Sequence, residues 1–112
     1  MTVTVTVLIP AKTAENVQTT QYTSTNVTTI IDKFTATNYS ANPVSISVNL
    51  VSSGGVVGND NLIVKTKTLQ AGETYAFPEI VGAALASGGT ISTLASAAAS
   101  VNIRASGRVI TS

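Results

Sequence analysis

Apolar and polar residues alternate along most of the chain with a period of two, the pattern of strands that bury one face. From Thr2 to Ile9, Val3, Val5, Val7 and Ile9 share one parity. From Val44 to Val51, Val44, Ile46, Val48 and Leu50 point one way and Ser45, Ser47 and Asn49 the other. Val101, Ile103 and Ala105 form a third face opposite Asn102 and Arg104. Between Asn26 and Asn38 the alternation breaks: Val27 and Ile31 share one parity, and Ile30, Phe34 and Ala36 the other. A bulge near Ile31-Asp32-Lys33 reconciles the two halves. Two further strands are predicted, Asn61 to Leu69 and Glu73 to Phe77.

Turn chemistry separates these runs. Tyr39 to Pro43 reads as a turn, since Pro43 has no amide to give a ladder. The glycine-rich stretch from Ser53 to Asp60 reads as a mobile hairpin loop. Gln70-Ala71-Gly72-Glu73 reads as a hairpin-type turn in which Gly72 takes a positive φ. Ser87-Gly88-Gly89 is another turn, and Ser106-Gly107 marks a late bulge or bend. Glu79 to Ala86, after Pro78, is compatible with a helical turn.

Seven or eight short strands without alternating helices predict an all-β, single-domain antiparallel β-sandwich, jelly-roll or Ig-like. One domain spans residues 1–112, with an extended N-terminal strand or arm over 1–17 and the sandwich body over 18–112. The arm is free of charge through Ile9 and rich in strand formers, so an exposed edge there would template aggregation. It either completes its own sheet or lies on a neighbouring subunit. Thr2, Val3, Thr4, Val5, Thr6, Val7 and Ile9 are therefore the candidate interface residues.

Charge narrows the functional classes. Six basic and five acidic residues leave a net charge of +1, and charged residues make up 10% of the chain, against about 25% in soluble proteins generally. No strong field draws in nucleic acid. Lys65 and Lys67 are read as sharing one strand face, which suits a solvated face better than a phosphate site. Thr, Ser and Asn fill the polar positions, as on a surface crowded among protein neighbours. No basic segment precedes an apolar core at the N-terminus, so no signal peptide is read. No apolar run approaches the roughly 20 residues a membrane helix needs.

The chain has no Cys and no His, which removes thiolate zinc sites and imidazole bases. Its acids, Glu15, Asp32, Asp60, Glu73 and Glu79, are isolated in sequence and read as solvated surface groups rather than an acid/base pair. Asp60 between Asn59 and Asn61 offers oxygens to a calcium ion but lacks the spaced acids of an EF-hand. The Gly54-Gly55 to Gly58 stretch has no following Lys-Ser/Thr, so it is not a phosphate loop. Tyr22 and Tyr39 are the aromatics available to a sugar face, while Phe34 and Phe77 read as core. No catalytic, metal or cofactor site is expected.

Several blocks resemble a known group of proteins. They are Gln21-Tyr22-Thr23, Thr29 to Phe34, Asn38, Leu50 to Gly55, Asn61-Leu62-Ile63, Leu69 to Tyr75, Glu79 to Gly82, Ala95 to Ala98, Ile103-Arg104 and Ser106-Gly107. Together they resemble small virion structural proteins of tailed bacteriophages, over about four fifths of the chain from Tyr22 to Gly107. The matching features are turn glycines and strand alternation, not chemistry. The resemblance implies a β-sandwich or jelly-roll decoration (cement) protein clamped on an icosahedral head. Its partner would be the major capsid protein, its own state a homo-oligomer (dimer or trimer), and its location the virion, after synthesis in the host cytoplasm. Neither nucleic acid nor membrane is a partner, and no cofactor is implied. A tail, neck or fibre component, or a glycan- or receptor-binding module, remains the alternative.

Overall fold

A computed structural model describes residues 1–111 as a two-layer sandwich of nine strands. They are β1 (Thr2–Thr13), β2 (Thr19–Thr23), β3 (Thr28–Asn38), β4 (Val44–Val51), β5 (Leu62–Leu69), β6 (Thr74–Tyr75), β7 (Ala84–Leu85), β8 (Thr90–Ala95) and β9 (Val101–Thr111). The first sheet runs β1-β9-β3-β6, with β7 also on β3; the second runs β2-β8-β4-β5. All pairings are antiparallel.

The pairs β1:β9, β2:β8, β3:β6 and β4:β5 nest inside one another like a single long hairpin. Pairings β9:β3 and β8:β4 then roll that ribbon into two sheets. This is the jelly-roll winding, with β7 as a short addition, and it decides between the two expected sandwich types.

The inward faces follow the period-two pattern. Ile46 and Val48 of β4, Val101, Ile103 and Ala105 of β9, and Ile91 of β8 are essentially inaccessible. Phe34 and Phe77 meet edge to face at 4.9 Å, and Tyr75 meets Phe77 at 4.7 Å. Aromatic pairs in this geometry contribute beyond the area they bury. No buried side-chain nitrogen or oxygen among the described residues lacks a hydrogen-bond partner.

The bulge expected in β3 is present: register shifts between Ile31 and Lys33, leaving Asp32 unpaired with β9. A second bulge was not foreseen. In β1 the register shifts between Val7 and Ile9, so Leu8 is the extra residue. The β3 bulge lies opposite Gly107 and Ser106 and the β1 bulge opposite Ser106 and Ala105, while β9 itself runs on unbroken to Thr111. Ser106-Gly107 is thus the straight strand between two bulged neighbours.

Two other expectations are corrected. The turn at Gln70–Glu73 forms, with Glu73 N–H donating to Gln70 O at 3.0 Å and Gly72 at φ +79°. It makes no hairpin, because β5 and β6 lie in different sheets. No helix forms over Glu79–Ala86. Ile80 and Val81 donate to the Phe77 carbonyl, then Gly82 at φ +87° reverses the chain. Gly82 N–H and Ala83 C=O bond to Ile31, and Ile80 is fully buried, so attachment to β3 outweighs one turn of local helix. The glycine-rich segment does join β4 to β5 as a hairpin loop, and side-chain bonds hold it from within. Asn61 Oδ1 accepts from Gly58 N–H and from Asn49 Nδ2, and Asn61 Nδ2 donates to Val56 O.

Candidate functional site

Strand β1 completes its own sheet as an edge, paired on one side with β9 and free on the other. Val3 lies opposite Ile110, Val5 opposite Arg108 and Val7 opposite Ser106. These valines face solvent on the outside of the first sheet, 52%, 79% and 46% exposed. The sequence pattern put Ile9 on the same face. The Leu8 bulge reverses that: Leu8 and Ile9 both turn into the core, at 5% and 0% exposed. A single inserted residue exchanges the two faces of a strand. The apolar face of Val3, Val5 and Val7 is therefore the outer one, and Ile9 is core rather than surface.

Thr2, Thr4 and Thr6 alternate with the valines; Thr2 and Thr4 are exposed and Thr6 half-buried. Both faces of β1 are open from Thr2 to Val5, so this end of the β1–β9 ribbon projects past the second sheet. The molecule measures 46 × 26 × 20 Å.

The charge nearest the valines is compensated within the protein. Arg108 forks onto Asp32, with Nε to Oδ2 at 3.0 Å and Nη2 to Oδ1 at 2.9 Å. Asp32 is the bulged residue of β3, so the bulge aims this carboxylate at β9. Both side chains are about two-fifths exposed, so solvent screens the pair and its contribution to stability is small. It neutralises the sheet exterior beside Val5.

The remaining acids stand apart from one another. Glu15 accepts from Gln21 Nε2 at 2.9 Å and from Lys12 Nζ at 3.0 Å. These contacts, Gln21 first, hold its carboxyl below the usual range. Glu79 accepts from the Tyr75 hydroxyl at 2.6 and 2.8 Å, which lowers the carboxyl and raises the phenol. Glu73 Oε1 takes the Gln70 N–H at 2.8 Å, capping the turn. Among the described residues no three acids gather as metal donors. Asp60 lines an open depression of about 450 Å³ with Ser52, Gly54, Gly55, Val56, Gly58 and Asn61. The Asn61 amide is already consumed by three internal bonds there.

Lys65 and Lys67 do not share a face. The register of β5 shifts between Val64 and Lys67, and Thr66 sits at φ +46°. Lys65 consequently borders the outside of the second sheet with Ser47 and Leu94. Lys67 reaches the other way, its Nζ 4.6 Å from the centre of the Tyr75 ring. Two separated lysines build no phosphate track.

Tyr22 and Tyr39 form no common platform. Tyr22 packs on the core and its hydroxyl bonds Thr29 Oγ1 at 2.8 Å. Tyr39 follows the far end of β3 and bonds Thr13 Oγ1 at 3.2 Å. Ten residues of extended chain between Thr29 and Tyr39 separate these anchors by roughly 30 Å. A shallow groove outside the second sheet, along Ser45, Ser47, Thr66, Leu94 and Ser96, escaped sequence reasoning. Two of its four hydroxyls take backbone amides: Ser47 Oγ accepts Thr66 N–H, and Ser96 Oγ accepts Ser45 N–H.

The structure thus brings together an uncompensated apolar stripe, a free strand edge and a neutral surround, and it disperses every charged candidate. No family model matches the chain, and neither a curated protein nor a solved structure is significantly similar to it.

Proposed function

We propose that this chain is a non-catalytic virion structural protein of a tailed bacteriophage, a decoration protein that stabilises the head by bridging major capsid subunits. The observation that carries the reading is the outward stripe of Val3, Val5 and Val7 on a projecting β-ribbon. Burying a half-exposed valine contributes on the order of 1 kcal/mol. A single copy is held weakly by three of them, but many copies on one shell add up. The charge-poor exterior and the internally paired Arg108 and Asp32 lower the desolvation cost of such docking. A wound jelly roll with a fully satisfied core supplies a fixed shape for the contact. That the shell is a phage head rests on the sequence blocks that resemble phage virion proteins.

The test is to mix purified protein with capsids lacking decoration and image them by electron cryomicroscopy. Symmetric density on the outer surface is expected, and Val5→Asp should remove it. No density on the head, with binding to tails or fibres instead, would transfer the protein to the tail.

A further inference from the structure

The described residues leave several sheet edges, and all but one carry a protective feature. Edge strands are usually blunted by shortness, bulges, prolines or lysines. Strands β6 and β7 have two residues each. Strand β2 has five, with a register shift between Thr20 and Tyr22. Strand β5 carries Lys65 and Lys67 around its bulge at Thr66. Strand β1 is guarded only in its second half, by the Leu8 bulge, Pro10 and Lys12. From Thr2 to Val7 it has none of these, and among the described residues no strand pairs with that edge.

We propose that a second copy of this chain fills the edge, the two Thr2–Val7 segments pairing antiparallel about a two-fold axis. The inference goes beyond the shell-docking reading and does not rest on it, because it concerns the purified chain alone. The outer face of β1 would meet a shell; its edge meets a copy.

The segment complements itself. No charged side chain occurs between Thr2 and Pro10, so self-pairing sets no like charges opposite one another. Centred on Val5, the two-fold places Val3 opposite Val7 of the second copy, Val5 opposite Val5, and Thr4 opposite Thr6. An even register of this kind keeps all valines on the outer face and all threonines on the inner one. Cross-strand pairs of β-branched residues and of threonines both stabilise a sheet. The ladder stops at the Leu8 bulge, where the edge becomes guarded. Two sheets join into one, and the three valines of each copy, flanked by Ile110, become one continuous stripe. A partner that added an isologous strand in this way would generate a closed dimer.

The contact is small. Six residues give roughly 20 Å of ladder, well short of the roughly 1,200 Å² that tight complexes bury. A reversible dimer with a dissociation constant in the range of about 10–100 µM is expected.

Two measurements test this. Sedimentation of the purified chain from about 5 to about 500 µM should show a concentration-dependent rise from 11.4 kDa toward twice that mass. The chain has no cysteine, so single-cysteine variants report the contact directly. Residues opposite each other in an antiparallel pair have Cα atoms about 4.5–5.5 Å apart, within disulfide range. Thr4→Cys, Val5→Cys and Thr6→Cys are oxidised beside Val57→Cys, an exposed control on the glycine-rich loop. The dimer is supported if mass rises and one of the three, Val5→Cys in the register given, crosslinks at least tenfold faster than the control. A mass that stays at the monomer value overturns it, and so does a dimer in which all three crosslink only at the control rate. Circular dichroism of each variant checks that the fold is kept.

Discussion

Gly107 of β9 and Ile30 of β3 meet with no room for a side chain between them: a β-carbon built on Gly107 would fall on the Ile30 carbonyl oxygen. Leu8 closes the other side, its Cδ1 3.1 Å from that position. The crowded position sits beside both bulges, that of β3 opposite Gly107 and Ser106 and that of β1 opposite Ser106 and Ala105.

Gly107→Ala should therefore be among the most damaging small substitutions in the chain. The obstructing atom is backbone, so relief requires moving a strand rather than a rotamer. Overpacking of this kind costs about 3 kcal/mol, which lowers the melting temperature by about 12 °C in a domain of this size. Thermal denaturation followed by circular dichroism measures it. A drop of less than about 3 °C would show that β3 yields easily at Ile30.

Asn38 ties three segments together from a fully buried position at the end of β3. Its Nδ2 donates to Asn42 O at 2.7 Å and to Leu69 O at 2.9 Å; its Oδ1 accepts from Ser40 N–H and Ser40 Oγ. Its backbone holds the β5–β6 turn, donating to Glu73 O and accepting from Gly72 N–H. Asn38→Asp keeps the shape and puts a carboxylate against two carbonyls. Burial and those carbonyls raise the carboxyl's pKa in the folded state, so the variant's relative stability is best in acid and falls as pH rises through that raised value. Asn38→Ala, which cannot titrate, should lose about 3 kcal/mol at any pH. Denaturant midpoints at pH 4 and pH 7 separate the two. Equal losses for Asn38→Asp at both would place the side chain in contact with water.

How much of this was legible in the chain follows from where the information sits. The limits of β4 were readable to the residue, because alternation runs uninterrupted between Pro43 and the glycine-rich segment. The β3 bulge was readable because it leaves a break in parity. The β1 bulge was not, since Leu8 and Ile9 are both apolar and either could continue the stripe. Val3, Val5, Val7 and Ile9 therefore read as one apolar face, whereas the structure exposes the three valines and buries Ile9. Strand β8 hides in an alanine- and serine-rich tract, and its inward face includes the fully buried Thr93. Which strands share a sheet depends on contacts distant in sequence, so the Gln70–Glu73 turn could be recognised but not its crossing between layers. Lys65 and Lys67 were grouped because nothing in their spacing announces a left-handed threonine between them.

That threonine, Thr66, gives a prediction of the opposite sign. A β-branched residue at φ +46° is strained, and its exposed side chain makes no hydrogen bond that the strand needs; Ser47 holds its backbone N–H instead. Asn tolerates the left-handed region far better. Thr66→Asn should therefore stabilise the protein by about 1 kcal/mol, raising the melting temperature by about 4 °C. An unchanged or lower melting temperature would mean that the threonine methyl packs on the groove beside Leu94 in a way that compensates the strain.

The Tyr75–Glu79 bond sets a pH window at the surface. Glu79 is lowered chiefly by accepting the phenolic proton's hydrogen bond, and Tyr75 is raised chiefly by donating it. The bond's contribution is present above the ordinary carboxylate pKa and is lost as pH falls through the lowered Glu79 value. At the alkaline end it persists below the ordinary tyrosine pKa, near 10, and is lost as pH rises through the raised Tyr75 value. Lys67, whose Nζ lies 4.6 Å from the ring centre, adds a smaller lowering of Glu79. Glu79→Ala should thus move the Tyr75 titration to lower pH. Tyrosinate absorbance against pH, with Tyr75→Phe to assign the step, reads the shift. If Glu79→Ala leaves the Tyr75 step in place, the hydroxyl spends its time on water and the ring is held by Phe77 alone.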